Sequence, residues 1–121
     1  MSNDNTYLAI FLGSKTSAKR AAWDALPEAE RNAKQQQGMA AWGAWMQKNQ
    51  AATTTVGGPL GKTKKVSSSG IEDTSNHLAA FTIVKAESHE AAAKLFENHP
   101  HFAIFPGDAI EIMPVKAIPG A

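Results

Sequence analysis

The sequence predicts an α+β fold in the order βαββαβ, an antiparallel sheet carrying its helices on one face. Three observations predict it. Tyr7–Leu12 and Leu78–Ala86 are short apolar runs without polar alternation, the mark of central strands covered on both sides. Helical periodicity follows each of them, through about Gln50 in the first case and up to Pro100 in the second. Thr53–Val56 and Ile110–Val115 supply two further strands. Strand, helix, strand, strand, helix, strand is the ferredoxin-like arrangement.

Each element has its own signal. The polar start, Met1 to Thr6, is expected to fray. Gly13-Ser14-Lys15-Thr16-Ser17 breaks the first strand, and Ser17 is placed to cap a short helix from Ala18 to about Leu26. Pro27 suits the first turn of a second helix, with Glu28 and Glu30 at its positive end. That helix runs to about Gln50, its apolar stripe formed by Met39, Trp42 and Met46 and widened by Ala41 and Trp45. Gly38 and Gly43 each weaken it by roughly 1 kcal/mol, so either one marks a close packing contact or a kink. The tryptophan and methionine stripe has two uses, covering a sheet or lining a ligand pocket.

Thr53–Val56 ends at Gly57-Gly58-Pro59. Ser67 to Asn76 reads as a polar loop, with a short strand around Thr63–Ser67 before it. Ser88 caps the next helix, Ala92, Leu95 and Phe96 give it a buried face, and Pro100 ends it. In the last strand Glu111 points away from Ile110 and Ile112.

The 121 residues make a single domain, 1–121, with one core. A net charge of +1 provides no field to gather nucleic acid or an anionic membrane, and Lys62, Lys64 and Lys65 form only a local basic cluster. No segment has the roughly 20 apolar residues that span a bilayer. The absence of cysteine removes thiolate chemistry and cysteine-ligated zinc, and fits a cytoplasmic location. The arrangement leaves the second face of the sheet bare although both faces are apolar. Packing two such sheets face to face, as a homodimeric α/β barrel, removes the exposed patch.

From Thr55 onward the chain resembles the YCII-related family, in the branch named for an Asp-Gly-Pro-Phe turn. Gly57-Gly58-Pro59-Leu60 falls on the turn motif and Thr63 and Lys64 match the residues after it. Leu78–Ser88 falls on the family's strand-to-helix segment, Pro100 on the proline closing its second helix, and Ile110–Val115 on its last strand. Gly57 replaces the aspartate, Leu60 the phenylalanine and Met113 a frequent arginine. Lys62 and Lys65 stand where acidic residues are usual, and Ser67–His77 is an insertion. The resemblance implies a ferredoxin-like subunit and a dimeric α/β barrel, and it implies no substrate.

Chemistry narrows to a few side chains. His99 and His101 bracket Pro100, where they serve either as dipole-favoured helix-end residues or as acid/base groups at the barrel mouth. The two have no third partner at a metal-ligand spacing, so no metal is expected. Glu111 is either a structural anchor or a carboxylate that abstracts a proton beside a histidine, with Lys64, His101 or Tyr7 as partner. Tyr7, Trp45 and Lys64 are the expected lining of a ligand pocket. The resulting expectation is a small-molecule-binding protein, or a cofactor-free enzyme doing proton transfer through His101 or His99 with Glu111. The alternative is a non-catalytic interaction module that uses the loop from Lys62 to Asn76, in which the histidines and Glu111 do not converge.

Overall fold

The first apolar run becomes β1 (Thr6–Leu12), with Tyr7, Ala9 and Phe11 buried and the intervening residues half-covered. This computed structural model describes residues 5–120, so the start of the segment expected to fray, Met1–Asp4, lies outside them. β1 is the centre of the sheet. It pairs antiparallel with β5 (Leu78–Lys85) on one side and β6 (Ala109–Pro114) on the other. The strand β2 (Thr53–Pro59) completes the order β2-β5-β1-β6. The inner strands are the first and third of the βαββαβ unit and the outer ones the second and last, which is the ferredoxin-like order.

Helices α1 (Ala18–Asp24) and α2 (Glu28–Lys48) connect β1 to β2. The Ser17 hydroxyl caps α1, accepting the Arg20 N–H at 3.0 Å. Pro27 sits one residue earlier than expected, at the N-cap of α2 rather than in its first turn. The tryptophans of α2 face the sheet: Trp42 and Trp45 pack on the buried cluster of Tyr7, Ala9, Phe11, Val84, Ala92 and Phe96. The second helical stretch divides. α3 (His89–Lys94), capped by Ser88, is followed by a turn with Asn98 at φ 57° and then by α4 (Pro100–Ala103). Pro100 therefore begins a helix where the sequence placed an end. Its fixed φ and missing N–H suit the first position, and His99 becomes the N-cap.

The expected loop after Ser67 is a second strand. β3 (Thr63–Ser67) and β4 (Gly70–Thr74) form a separate two-stranded ribbon, with Gly70 at φ 110° in its turn. Lys64 pairs with Asp73 at 2.6 Å and Lys65 with Glu72 at 2.8 Å, so two lysines of the local basic cluster are cross-strand partners. Gly57, expected in a turn, lies inside β2 at φ 69°, and an added Cβ would come within 2.0 Å of the Phe81 carbonyl oxygen. The face of the sheet away from the helices carries Leu8, Ile10, Phe81 and Ile83, all half-buried.

Gly38 is the close contact that its helix-interior position suggested. It is buried, and an added Cβ would lie 2.5 Å from the Phe105 ring. Gly38→Ala is expected to lower stability by about 1–3 kcal/mol despite alanine's better helix propensity, because the overpacked ring has to shift. Thermal or urea unfolding of the variant measures it, and an unchanged or raised midpoint contradicts this packing.

Candidate functional site

Pro100 and the α4 turn bring two histidines under the helices instead of leaving them at a helix end. His99 is fully buried at the junction of β1, α2 and the segment after α3. Its ring stands edge-to-face against Trp42 (centroids 4.6 Å, 90°), Trp45 (4.9 Å, 66°) and Phe11 (5.1 Å, 81°). Nδ1 accepts the backbone N–H of His101 at 3.0 Å. That bond fixes the tautomer: Nδ1 is bare and Nε2 carries the proton. Nε2 has no hydrogen-bond partner among the described residues, so its N–H is left among aromatic rings.

Charging His99 would place a cation in this apolar setting and cost Nδ1 its lone pair. Burial first, and the neighbouring His101 second, lower its pKa to about 4. His101 is also buried, and its Nε2 donates to the Leu12 carbonyl at 2.8 Å. The Asp108 N–H uses the same oxygen at 2.9 Å. An acceptor on that side means Nε2 holds the proton and Nδ1 carries a free lone pair. Desolvation lowers the His101 pKa and Lys19 adds to that effect, while the Leu12 carbonyl, Asp108 and the Ala109 backbone oppose it. Lys19 donates to the Gly107 carbonyl at 3.0 Å and to that of Phe102, tying down the loop beside His101. Gly107 makes room for the ring: a Cβ there would meet His101 at 2.4 Å.

His101 forms part of the wall of a cleft of about 600 Å³ between α2 and the β2–β5 side of the sheet. Its other walls are Phe11, Met39, Trp42, Trp45, Met46 and Phe105, with Thr53 and Thr82 among the few polar neighbours. The Thr82 hydroxyl is engaged with the Thr55 carbonyl at 2.9 Å, and the Trp45 Nε1–H with that of Leu95 at 2.7 Å. The cleft is thus an apolar, aromatic slot, and His101 is its titratable group. Apolar walls with a small number of placed polar groups are the usual form of a small-molecule site.

Of the residues expected to form a pocket, Trp45 lines this cleft and Tyr7 and Lys64 do not. Tyr7 is buried on the helix side and stacks on His89 at 5.5 Å, and the His89 Nε2 donates to the Ile112 carbonyl at 2.6 Å. Lys64 is committed to Asp73 in the ribbon. His99 stands behind the tryptophans, and His101 alone of the pair reaches the cleft. Glu111 is in register with Ile10 and exposed on the opposite face, so the sheet separates it from both histidines, and neither Tyr7 nor Lys64 is its partner. Phe11, Thr82 and Phe105 were not among the expected pocket residues. Phe11 was legible only as a strand residue, and Phe105 carries no periodic signal. Among the described residues no three His, Asp or Glu side chains are grouped to hold a metal ion, and both histidines spend a ring nitrogen on a protein hydrogen bond. No helix among them is long and apolar enough to cross a membrane.

No family model matches the sequence, and no curated protein matches it. Among solved structures, the chain is similar to 5-chloro-2-hydroxyhydroquinone dehydrochlorinase (TftG) from Burkholderia phenoliruptrix AC1100 in complex with 2,5-dihydroxybenzoquinone. The TM-score is 0.51 and the identity 19%, over 92% of this chain and 93% of that one. The likeness shows the fold. It supports the ferredoxin-like arrangement read from strand order, over nearly the whole of both chains.

Because the folded state resists charging His99 while the unfolded chain does not, stability depends on pH with a definite sign. Well above pH 6.5 both states are neutral at this site. As pH falls from 6.5 towards 4 the unfolded chain takes up the proton first, and about 3 kcal/mol of stability is lost. Urea unfolding across that range measures the loss. His99→Asn keeps an N-cap acceptor without the imidazole and is expected to flatten this dependence at lower overall stability. An equal slope in wild type and variant contradicts the assignment.

Proposed function

We propose that the protein binds a small, flat, largely apolar hydroxylated molecule in the α2 cleft, with the hydroxyl donating to Nδ1 of His101. The observation that carries this is an aromatic slot walled in part by His101, whose Nε2 is committed to Leu12 and whose Nδ1 has no hydrogen-bond partner among the described residues. A lowered pKa keeps that nitrogen a free base at neutral pH. The same group supports proton-transfer chemistry without a cofactor: Nδ1 takes the proton of a hydroxyl or acidified C–H, the electron pair stays on the substrate, and the imidazolium returns the proton. His101 would act here without Glu111, which faces away. The similar dehydrochlorinase, named for a chlorinated hydroxyhydroquinone and bound to a dihydroxybenzoquinone, favours the same ligand class by analogy of fold.

The reading is tested with 2-naphthol against naphthalene by calorimetry. Wild type is expected to bind naphthol saturably at one site and about tenfold more tightly than naphthalene, the worth of one hydrogen bond. His101→Phe, checked for folding by circular dichroism, is expected to abolish the preference. Saturable binding of neither compound overturns the reading.

The YCII-related affiliation and the homodimer belong to the same proposal. Leu8 meets Ile83 and Met113 across the open face, and a second copy laid on that face would cover all three. Sedimentation is expected to give a dimer for wild type and a monomer for Leu8→Lys; a monomeric wild type excludes this assembly. Two observations favour an interaction module instead: Glu111 does not converge with His99 and His101, and Val66 and Ile71, paired across the ribbon, are 74% and 72% exposed.

A further inference from the structure

Helix α2 contains two interior glycines, and the chain explains only one of them. Glycine in a helix interior is destabilising relative to alanine, so it persists where something needs the missing side chain. At Gly38 the Phe105 ring supplies the reason. At Gly43, apart from its chain neighbours and the helix's own backbone, there is no protein atom within 4 Å of where a Cβ would sit. The position is nonetheless part of the cleft wall, and the spacing 39, 43, 46 puts it on one helix face between Met39 and Met46. The opposite wall repeats the feature: Gly58 of β2 also lines the cleft and also has open space where its side chain would be. Gly57 beside it is needed by its backbone, and Gly58 is not.

We propose that Gly43 is the specificity-determining position of the cleft, where a planar ring of the ligand lies directly against the α2 backbone. The ring is held edgewise by Met39 and Met46, whose flexible thioethers suit an aromatic partner, and is bounded across the slot by Gly58. The ligand is therefore a flat molecule of at least one unsaturated ring whose face needs backbone-close approach; a globular or branched aliphatic molecule of equal volume would not use the gap. This inference rests on the cleft being a ligand site and adds which surface gauges the ligand's thickness.

Gly43→Ala is the test, with 2-naphthol as the probe. The substitution introduces no clash within the chain and improves helix propensity, so the variant is expected to melt a few degrees above wild type. Its affinity for 2-naphthol is expected to fall at least tenfold, and that of Gly43→Val further. A variant that binds naphthol as tightly as wild type overturns this inference and leaves the cleft reading standing. Failure of wild type itself to bind overturns both. A lowered melting temperature means that the fold itself needs the glycine, and a loss of dimer in place of a loss of naphthol binding means that a second copy occupies the gap. Either result overturns the proposal.

Discussion

The fully buried imidazole of His99 is the contact on which the sheet, the long helix and the return segment all depend. Phe11 comes from β1, Trp42 and Trp45 from α2, and all three set a ring against it. Such a junction is more often filled by an aliphatic side chain. A histidine adds a backbone hydrogen bond through Nδ1, which caps α4 and fixes the direction of the chain at His101. The cost is a buried N–H without a polar partner, a penalty of about 1–3 kcal/mol for such a group that the surrounding ring faces offset in part.

The position of His101 follows from that junction. Once the backbone is aimed by His99, the His101 ring turns towards the end of β1, where the Leu12 carbonyl takes its Nε2 proton. The Lys19 ammonium fastens the loop from Phe102 to Gly107 around it, and Gly107 leaves the ring its space. Each restraint acts on the ring and none engages Nδ1 among the described residues. On the binding reading proposed above, a restrained imidazole with one nitrogen left over, set in a hydrophobic wall, would be preorganised for a single hydrogen bond to the ligand.

Much of the fold was legible because strand and helix signals are local. Tyr7–Leu12, Leu78–Ala86 and the capping serines at 17 and 88 declare themselves in a few residues. The errors came where a residue has two opposite uses. Pro100 ends a helix as readily as it starts one, and only the turn at Asn98 decides between them. The ribbon from Thr63 to Thr74 was hidden because its polar residues are satisfied by one another across strands, which composition does not reveal. The site was less legible. His101 and Trp45 were found as residue types suited to chemistry, but the partnership with Glu111 assumed one lumen, whereas a sheet has two sides and Glu111 is on the other. Gly43 had a signal, an unfavourable residue in a helix interior, that packing alone does not explain.

The two faces and two edges of the sheet then divide the work. One edge strand, β2, is irregular at Gly57 and carries Pro59; the other, β6, presents Glu111 and finishes at Pro114. Charges, prolines and bulges on edges oppose strand-to-strand addition. Growth of the sheet sideways is thereby disfavoured at both ends, and the helix side is occupied by its own core and cleft. The apolar face with Leu8, Ile10 and Ile83 is the one that the proposed second copy would cover. Glu111, near the rim of that face rather than at its centre, can keep contact with water when the apolar residues are covered, so its charge is no obstacle to face-to-face packing.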